Sequence, residues 1–278
     1  MVAAALNHPG LRLTAVELMA RRPPLARQRH VPATRRPGAV ASRAPGQGMD
    51  LREIRSFIEG DDLRRIDAAA TARTGQLHVR SFHEDRDDAT LLIADFRHGM
   101  LWGTGAALRS VRAARWLATL GWIAIGRGGS VGLLAVGDHG PQTLGPKTGE
   151  AQMQAIATTL GRAHDIALNA RAAAVGLQPA LEQAVRLVPP GGEVHLATGP
   201  GGLQGTDAGL SRLARGRWVH LHIILDPLEV APPDLPLTIT HDGQSRHGIP
   251  RLYDPLPLLA HLVSLGVKAR TVLPDDTE

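Results

Sequence analysis

The 278-residue chain contains no cysteine. A disulfide framework, thiol catalysis and cysteine-ligated zinc are excluded, although this does not fix the compartment. Aromatic residues make up only 3%, against 43% apolar residues overall. A sizeable core can therefore form, but Leu, Val, Ile and Ala must build it. Long hydrophobic runs are also lacking. The longest candidate, residues 116–125, falls short of the ~20 apolar residues of a membrane span. The opening MVAAALNHPG has neither the charged start nor the sustained apolar run of a signal peptide. The expectation is a soluble cytoplasmic protein.

Acidic residues are scarce in one region. Residues 1–48 hold eight arginines (Arg12, Arg21, Arg22, Arg27, Arg29, Arg35, Arg36 and Arg43) against Glu17 alone, a charge of +7. The overall charge is +5, so the remainder carries −2. The basicity belongs to an N-terminal arm. Such an arm suits a solvated or protein-facing role, nucleic acid or an acidic lipid surface. Nucleic-acid binding is the weaker reading, because no interleaved aromatics or recognisable module accompany the arginines.

Along the chain, Leu11, Leu13, Val16, Leu18 and Met19 predict a short amphipathic helix within residues 10–22, stopped by Pro23-Pro24. Residues 23–48, rich in Pro, Arg, Gly and Ala, read as a connector. Residues 49–88 form a charge-dense, β-rich segment: a turn at Gly60-Asp61-Asp62, then an alternating strand over 76–82. From residue 89 strands and helices alternate. Strands are expected at 89–94, 130–136, 193–197, 218–225 and 267–273, and helices at 106–125, 149–161, 178–188, 208–214 and 256–265. This order implies an α/β domain over 89–278, with a mainly parallel sheet covered by helices on both faces. No internal repeat is present.

Four motifs match by letter and fail by context. Gly128-Gly129-Ser130-Val131-Gly132 spells a nucleophile elbow, but a helix precedes it and a strand follows, the reverse of what exposes the serine. Gly103-Thr104-Gly105 opens a helix after a strand, yet the third glycine of a dinucleotide loop is replaced by Leu108. Residues 140–148 (GPQTLGPKT) approach a phosphate loop, but Pro146 removes a backbone N–H the cradle needs. His220 and His222 share a strand face at spacing two, an arrangement that can ligate a metal but more often lines a sheet.

Asp95 closes the buried apolar run 91–94, and in open α/β sheets ligands sit beyond the carboxyl ends of strands. Residues 60–67 read GDDLRRID, followed by Thr71-Ala72-Arg73 and by Leu77, Val79 and Arg80. Leu225-Asp226-Pro227-Leu228-Glu229 follows a late strand. Together these resemble the domain-of-unknown-function 58 family, whose sheet domain is similar to the von Willebrand factor A fold. The resemblance covers roughly residues 10–273 and implies a bacterial protein. It departs from the family pattern at Ala68, where a tryptophan is usual, and at Thr71, where a serine is usual. Von Willebrand A domains hold a divalent cation through D-x-S-x-S, a distal threonine and a second aspartate. Here Arg97 and Gly99 stand at the serine positions, the threonine would fall near residues 178–179, and the second aspartate is missing near residues 198–199. Asp95, Arg97, His98 and Gly99 are expected to form the remnant of such a site, without a metal, with Arg97 able to pair with Asp95.

The acid–arginine motif comprises Asp61, Asp62, Arg64, Arg65, Asp67, Arg73 and Arg80. Paired carboxylates can run acid–base chemistry, but no nucleophile or oxyanion device lies nearby in sequence. A structural joint or a partner interface is the expected role, since arginine makes planar paired bonds to carboxylates and carbonyls. The expected function is that of a binding or adaptor protein with no cofactor, no catalytic residues and no small-molecule substrate. What the resemblance implies for partners is a MoxR-type AAA+ ATPase and other von Willebrand A-type proteins, in assembly or activation of other complexes. The alternatives are a Rossmann-like hydrolase, or a nucleic-acid-associated protein using the basic arm.

Overall fold

The computed structural model describes residues 8–24, 51–58, 63–82, 89–170, 175–241 and 244–277. In chain order the elements are α1 (Ala15–Ala20), β1 (Leu51–Ser56), α2 (Ala68–Thr74), β2 (His78–Phe82), β3 (Ala89–Asp95), α3 (Arg109–Gly126), β4 (Ser130–Gly137), β5 (Gly140–Lys147), α4 (Glu150–Asn169) and α5 (Gln178–Leu187). They continue with β6 (Glu193–Thr198), α6 (Asp207–Ala214), β7 (Trp218–Ile224), α7 (Pro227–Val230), β8 (Leu237–His241), β9 (Gln244–Gly248), α8 (Leu256–Ser264) and β10 (Lys268–Val272). They fall into two compact units, residues 27–86 and residues 1–26 with 87–278.

In the smaller unit β1 pairs antiparallel with β2. The strand expected over 76–82 is present, but the segment is not purely β-rich: residues 68–74 (AAATART) form α2. Three alanines start this helix, and Asp67 caps it. The Asp67 backbone is extended and its carboxylate accepts from the Ala70 N–H at 2.7 Å. Gly75, at φ 73°, ends the helix in the left-handed conformation that only glycine adopts without strain. The Thr71 hydroxyl accepts from the His78 N–H at 3.0 Å, tying the helix to β2.

The larger unit is an α/β domain built on a six-stranded sheet in the order β5-β4-β3-β6-β7-β10. All adjacent pairs are parallel except β5 with β4. This is the mainly parallel, doubly covered sheet expected of a von Willebrand A-like domain. Every residue of β3 is buried, as a central parallel strand requires. Leu92, Ala94, Leu133 and Ala197 pack under α1, α3 and α4, while Leu91, Ile93, Leu196 and Leu221 pack under α5, α6 and α8.

Several features differ from expectation. Residues 140–148 are the edge strand β5 and the turn after it, where Pro141 and Pro146 are tolerated because a proline on an edge strand breaks no ladder on both sides. The helix expected over 149–161 runs on to Asn169. The short α7 and the β8–β9 hairpin were not anticipated. The N-terminal helix is shorter than expected and belongs to the sheet unit: Leu18 is fully buried and Arg115 on α3 pairs with Glu17 at 2.5 Å. Of the connector expected over residues 23–48, residues 25–48 lie outside the described residues.

The sheet sets the site. From β3 the chain proceeds outward to β4 and β5, then returns and proceeds the other way through β6, β7 and β10. The direction reverses between β3 and β6, the place where open α/β sheets form their ligand crevice, beyond the carboxyl ends of the strands. β3 ends there on Asp95 and β6 on Thr198.

Candidate functional site

Asp95 is buried at the reversal point, and both of its oxygens are engaged. Arg97 forks onto it: Nε donates to Oδ1 at 2.8 Å and Nη2 to Oδ2 at 2.7 Å. The Arg97 backbone N–H adds a bond to Oδ1 at 3.0 Å, and the Thr198 hydroxyl donates to Oδ2 at 2.6 Å. Arg97 is itself fixed from outside, because Nη1 donates to the Val175 carbonyl at 3.0 Å and Nη2 to the Gly202 carbonyl at 2.7 Å. The paired, charge-assisted geometry makes this a strong contact. Gly202 is required for it: a Cβ at that position would collide with Thr198 Oγ1 and press on Arg97 Nη2 and Asp95 Oδ2.

A divalent cation of the von Willebrand A type does not fit this donor set. The cation needs several oxygen ligands with free lone pairs. Here the one carboxylate is bound by a guanidinium and a hydroxyl, and neither Arg97 nor Gly99 supplies an oxygen side chain. Gln178, near the expected threonine position, opens α5. Among the described residues no group of three or more His, Asp or Glu side chains is arranged to hold a metal ion. His98 and Gly99 are exposed on the single turn His98–Met100 that follows β3, while Met100 is buried.

A second buried carboxylate lies beyond β7. Asp226 accepts from the Thr104 N–H at 3.0 Å, from the Thr104 hydroxyl, and from the Leu228 N–H at 3.1 Å. It also caps α7 reciprocally with Glu229. Glu229 pairs with Arg109, the buried first residue of α3, whose guanidinium lies 4.2 Å from the Trp102 ring centre. The Gly103–Gly105 stretch is thus a loop clamped by Asp226 and has no dinucleotide geometry. The exposed residues on this side include His98, Gly99 and Trp102, the last 38% exposed, and Thr104 to Ala106 of the clamped loop.

The other candidates fall elsewhere. Gly128, at φ 83°, turns from α3 into β4, so Ser130 begins a strand. His220 and His222 share a sheet face as expected, and His195 joins them: its Nδ1 lies 3.1 Å from His222 Nε2. Burial lowers the pKa of His195 to about 4 and of His222 to about 2, so both are neutral near pH 7. Glu193 is held well below the usual carboxylate range, chiefly by its bond to His220. Ser110 and His164 meet at 2.8 Å, but both are fully buried and present no surface to a substrate. In the smaller unit Asp67 is the helix cap, and Arg64 and Arg73 are exposed. Asp61, Asp62 and the side chains of Arg65 and Arg80 lie outside the described residues.

The larger unit therefore belongs to the class of open α/β sheet domains with a polar crevice at the strand reversal. The chain is a member of the protein family of unknown function DUF58, whose profile matches residues 53–196. Uncharacterized proteins of Mycobacterium tuberculosis and Mycobacterium bovis are 30% identical over 116 residues, 42% of this chain. That match spans 37% of the length of these relatives. Among solved structures, the protein BatB from Bacteroides thetaiotaomicron aligns with 66% of this chain and 89% of its own, at 16% identity and a TM-score of 0.47. The SpRpn10 VWA domain aligns with 67% of this chain and 88% of its own, at 12% identity and a TM-score of 0.41. Among the described residues no helix is long and apolar enough to cross a membrane.

Proposed function

We propose that this chain is a cytoplasmic binding or adaptor protein with no catalytic role. It would work with a MoxR-type AAA+ ATPase, beside other von Willebrand A-type proteins, in the assembly or activation of other complexes. The observation that carries this reading is the Asp95–Arg97 pair. At the place where an open α/β sheet meets its ligand, the carboxylate, which also accepts from Thr198, already holds an internal cation fixed by the Val175 and Gly202 carbonyls. The crevice is left with a rigid frame and an exposed rim, His98, Gly99 and Trp102, suited to direct contact with a protein surface. A ligand reached through this rim meets His98 or the edge of Arg97 with no metal bridge.

The test is affinity capture from native lysate on the immobilised chain, with and without ATP. Recovery of a AAA+ ATPase in a nucleotide-dependent manner, reduced at least tenfold by His98→Glu with Trp102→Ala, is the expected result. Recovery of no such ATPase, or capture indifferent to both substitutions, would overturn the reading.

A further inference from the structure

The two faces of the sheet are not equally covered. On one face α3 lies over β3 and β6, and α4 lies over β4. α3 reaches β7 along its edge, where Trp116 meets the His222 ring, and the turn Pro274–Thr277 packs on α3 past the end of β10. Trp218, Lys268 and Arg270 are nevertheless left exposed, since α8 packs on the opposite face. The strand sequences agree. A parallel strand covered on both faces is apolar throughout, whereas β7 (WVHLHII) and β10 (KARTV) alternate. Trp218, His220 and His222 from β7 and Lys268 and Arg270 from β10 point to the α3 side.

The result is a trough. Its floor is the half-buried His220, whose ring stacks on that of the buried His195 at 4.9 Å between centres, while His222 lies buried beyond them, 5.4 Å from His195. Ile123, 40% exposed, lies two turns along α3 from Trp116, which meets His222 and Arg270, and so shares that flank of the helix. Trp218 is 49% exposed. Lys268 and Arg270 are both exposed, and neither has a carboxylate partner among the described residues. Charges of this kind commonly protect an edge strand from pairing. That role does not account for the exposed Trp218 and Ile123 facing the same trough.

We propose that this trough seats an acidic amphipathic helix supplied by a partner protein. Neighbouring helices pack 8–10 Å apart and strands lie about 4.8 Å apart, so a helix beside α3 falls over β7 and β10. Its apolar stripe covers Trp218 and Ile123, and its carboxylates meet Lys268 and Arg270. The chain's own N-terminal arm carries eight arginines against one acid and has the wrong charge for this place. Nucleic acid is disfavoured on geometry. The Lys268 ammonium lies 4.8 Å over the Trp218 ring and the Arg270 guanidinium 4.3 Å over the Trp116 ring, so both rings already carry a cation where a base would stack. The surface is separate from the strand-end rim, and the inference does not rest on the function proposed there.

The experiment is fluorescence anisotropy of the full chain with a labelled helical peptide of about 18 residues, leucine at i, i+3, i+4 spacing and glutamate elsewhere. Saturable binding that weakens with salt, and that falls tenfold or more in Lys268→Glu/Arg270→Glu, is expected. Lys268→Glu alone and Trp218→Ala, both at exposed positions, should each weaken binding without altering the melting curve. Absence of binding overturns the proposal. So does equal affinity in the variants, which would place the peptide on the N-terminal arginines. Tighter binding of a single-stranded oligonucleotide through Lys268 and Arg270 would replace the acidic helix with nucleic acid.

Discussion

Arg97→Ala isolates the central contact. The Asp95 side chain is 1% exposed and that of Arg97 14%, so solvent does little to screen the pair. Removing the guanidinium leaves a buried carboxylate with the Thr198 hydroxyl and a backbone N–H as partners, and frees the carbonyls of Val175 and Gly202. Breaking a buried pair from one side costs about 3–5 kcal/mol. In a unit of roughly 200 residues, 1 kcal/mol moves Tm by about 2–4 °C, so a fall of about 6–20 °C is expected. Thermal melting and urea titration of Arg97→Ala, Asp95→Ala and the double variant form the assay. If the pair acts as a unit, the double variant is less destabilised than the sum of the singles, by about 1–3 kcal/mol. A loss under 1 kcal/mol in Arg97→Ala, or strict additivity, would refute the view that Arg97 supplies the charge Asp95 needs.

Other expectations follow from the same structure. Millimolar Mg²⁺ or Mn²⁺ should leave Tm unchanged, whereas a site filled at one hundred times its Kd would add about 2.7 kcal/mol, which melting curves would register. Gly202→Ala should destabilise as strongly as Arg97→Ala, because the added methyl meets Thr198 Oγ1; an unchanged urea midpoint would show that the loop yields. Asp67→Ala removes the cap of α2 and should cost about 1–2 kcal/mol, seen as lower stability in urea, while Arg64→Ala at an exposed position should cost less. Stability should fall on acidification: His164, His195 and His222 titrate below 6.5 when folded, so the unfolded chain takes up protons first as pH drops from 6.5 to about 4. Each contributes about 1.4 kcal/mol per pH unit in that window, and a urea midpoint equal at pH 7 and pH 4.5 would contradict it.

What could be read from the chain before folding was whatever depends on neighbours in sequence. β3 is legible because a buried parallel strand must be an unbroken apolar run, and Asp95 is legible because it terminates that run. The alternation of β7 is equally plain, and the structure leaves only its first positions on one face, Trp218 and His220, accessible. β5 was hidden because its two prolines and two glycines, Gly140 and Gly145, mimic a loop, and only its edge position makes them tolerable. Residues 68–74 were hidden among charges; their alanines and the Asp67 cap favour a helix locally, but the strands on either side dominated the pattern.

The rest of the site was not legible because its partners are distant. Thr198 reaches Asp95 across 103 residues and Gly202 reaches Arg97 across 105. No local spacing encodes either contact; both follow from β3 and β6 being neighbours at the strand reversal. The threonine sought near residues 178–179 illustrates the difference. A family spacing placed it on the helix side of the crevice, whereas the sheet itself delivers Thr198 at the end of the adjacent strand. A threonine there donates one hydrogen bond to Asp95 and leaves Arg97 to supply the positive charge, while an aspartate there would have added a second negative charge and called for a cation. The misfit of this donor set to a divalent cation is therefore written in two residues, Arg97 and Thr198, whose joint meaning exists only once β3 and β6 are side by side.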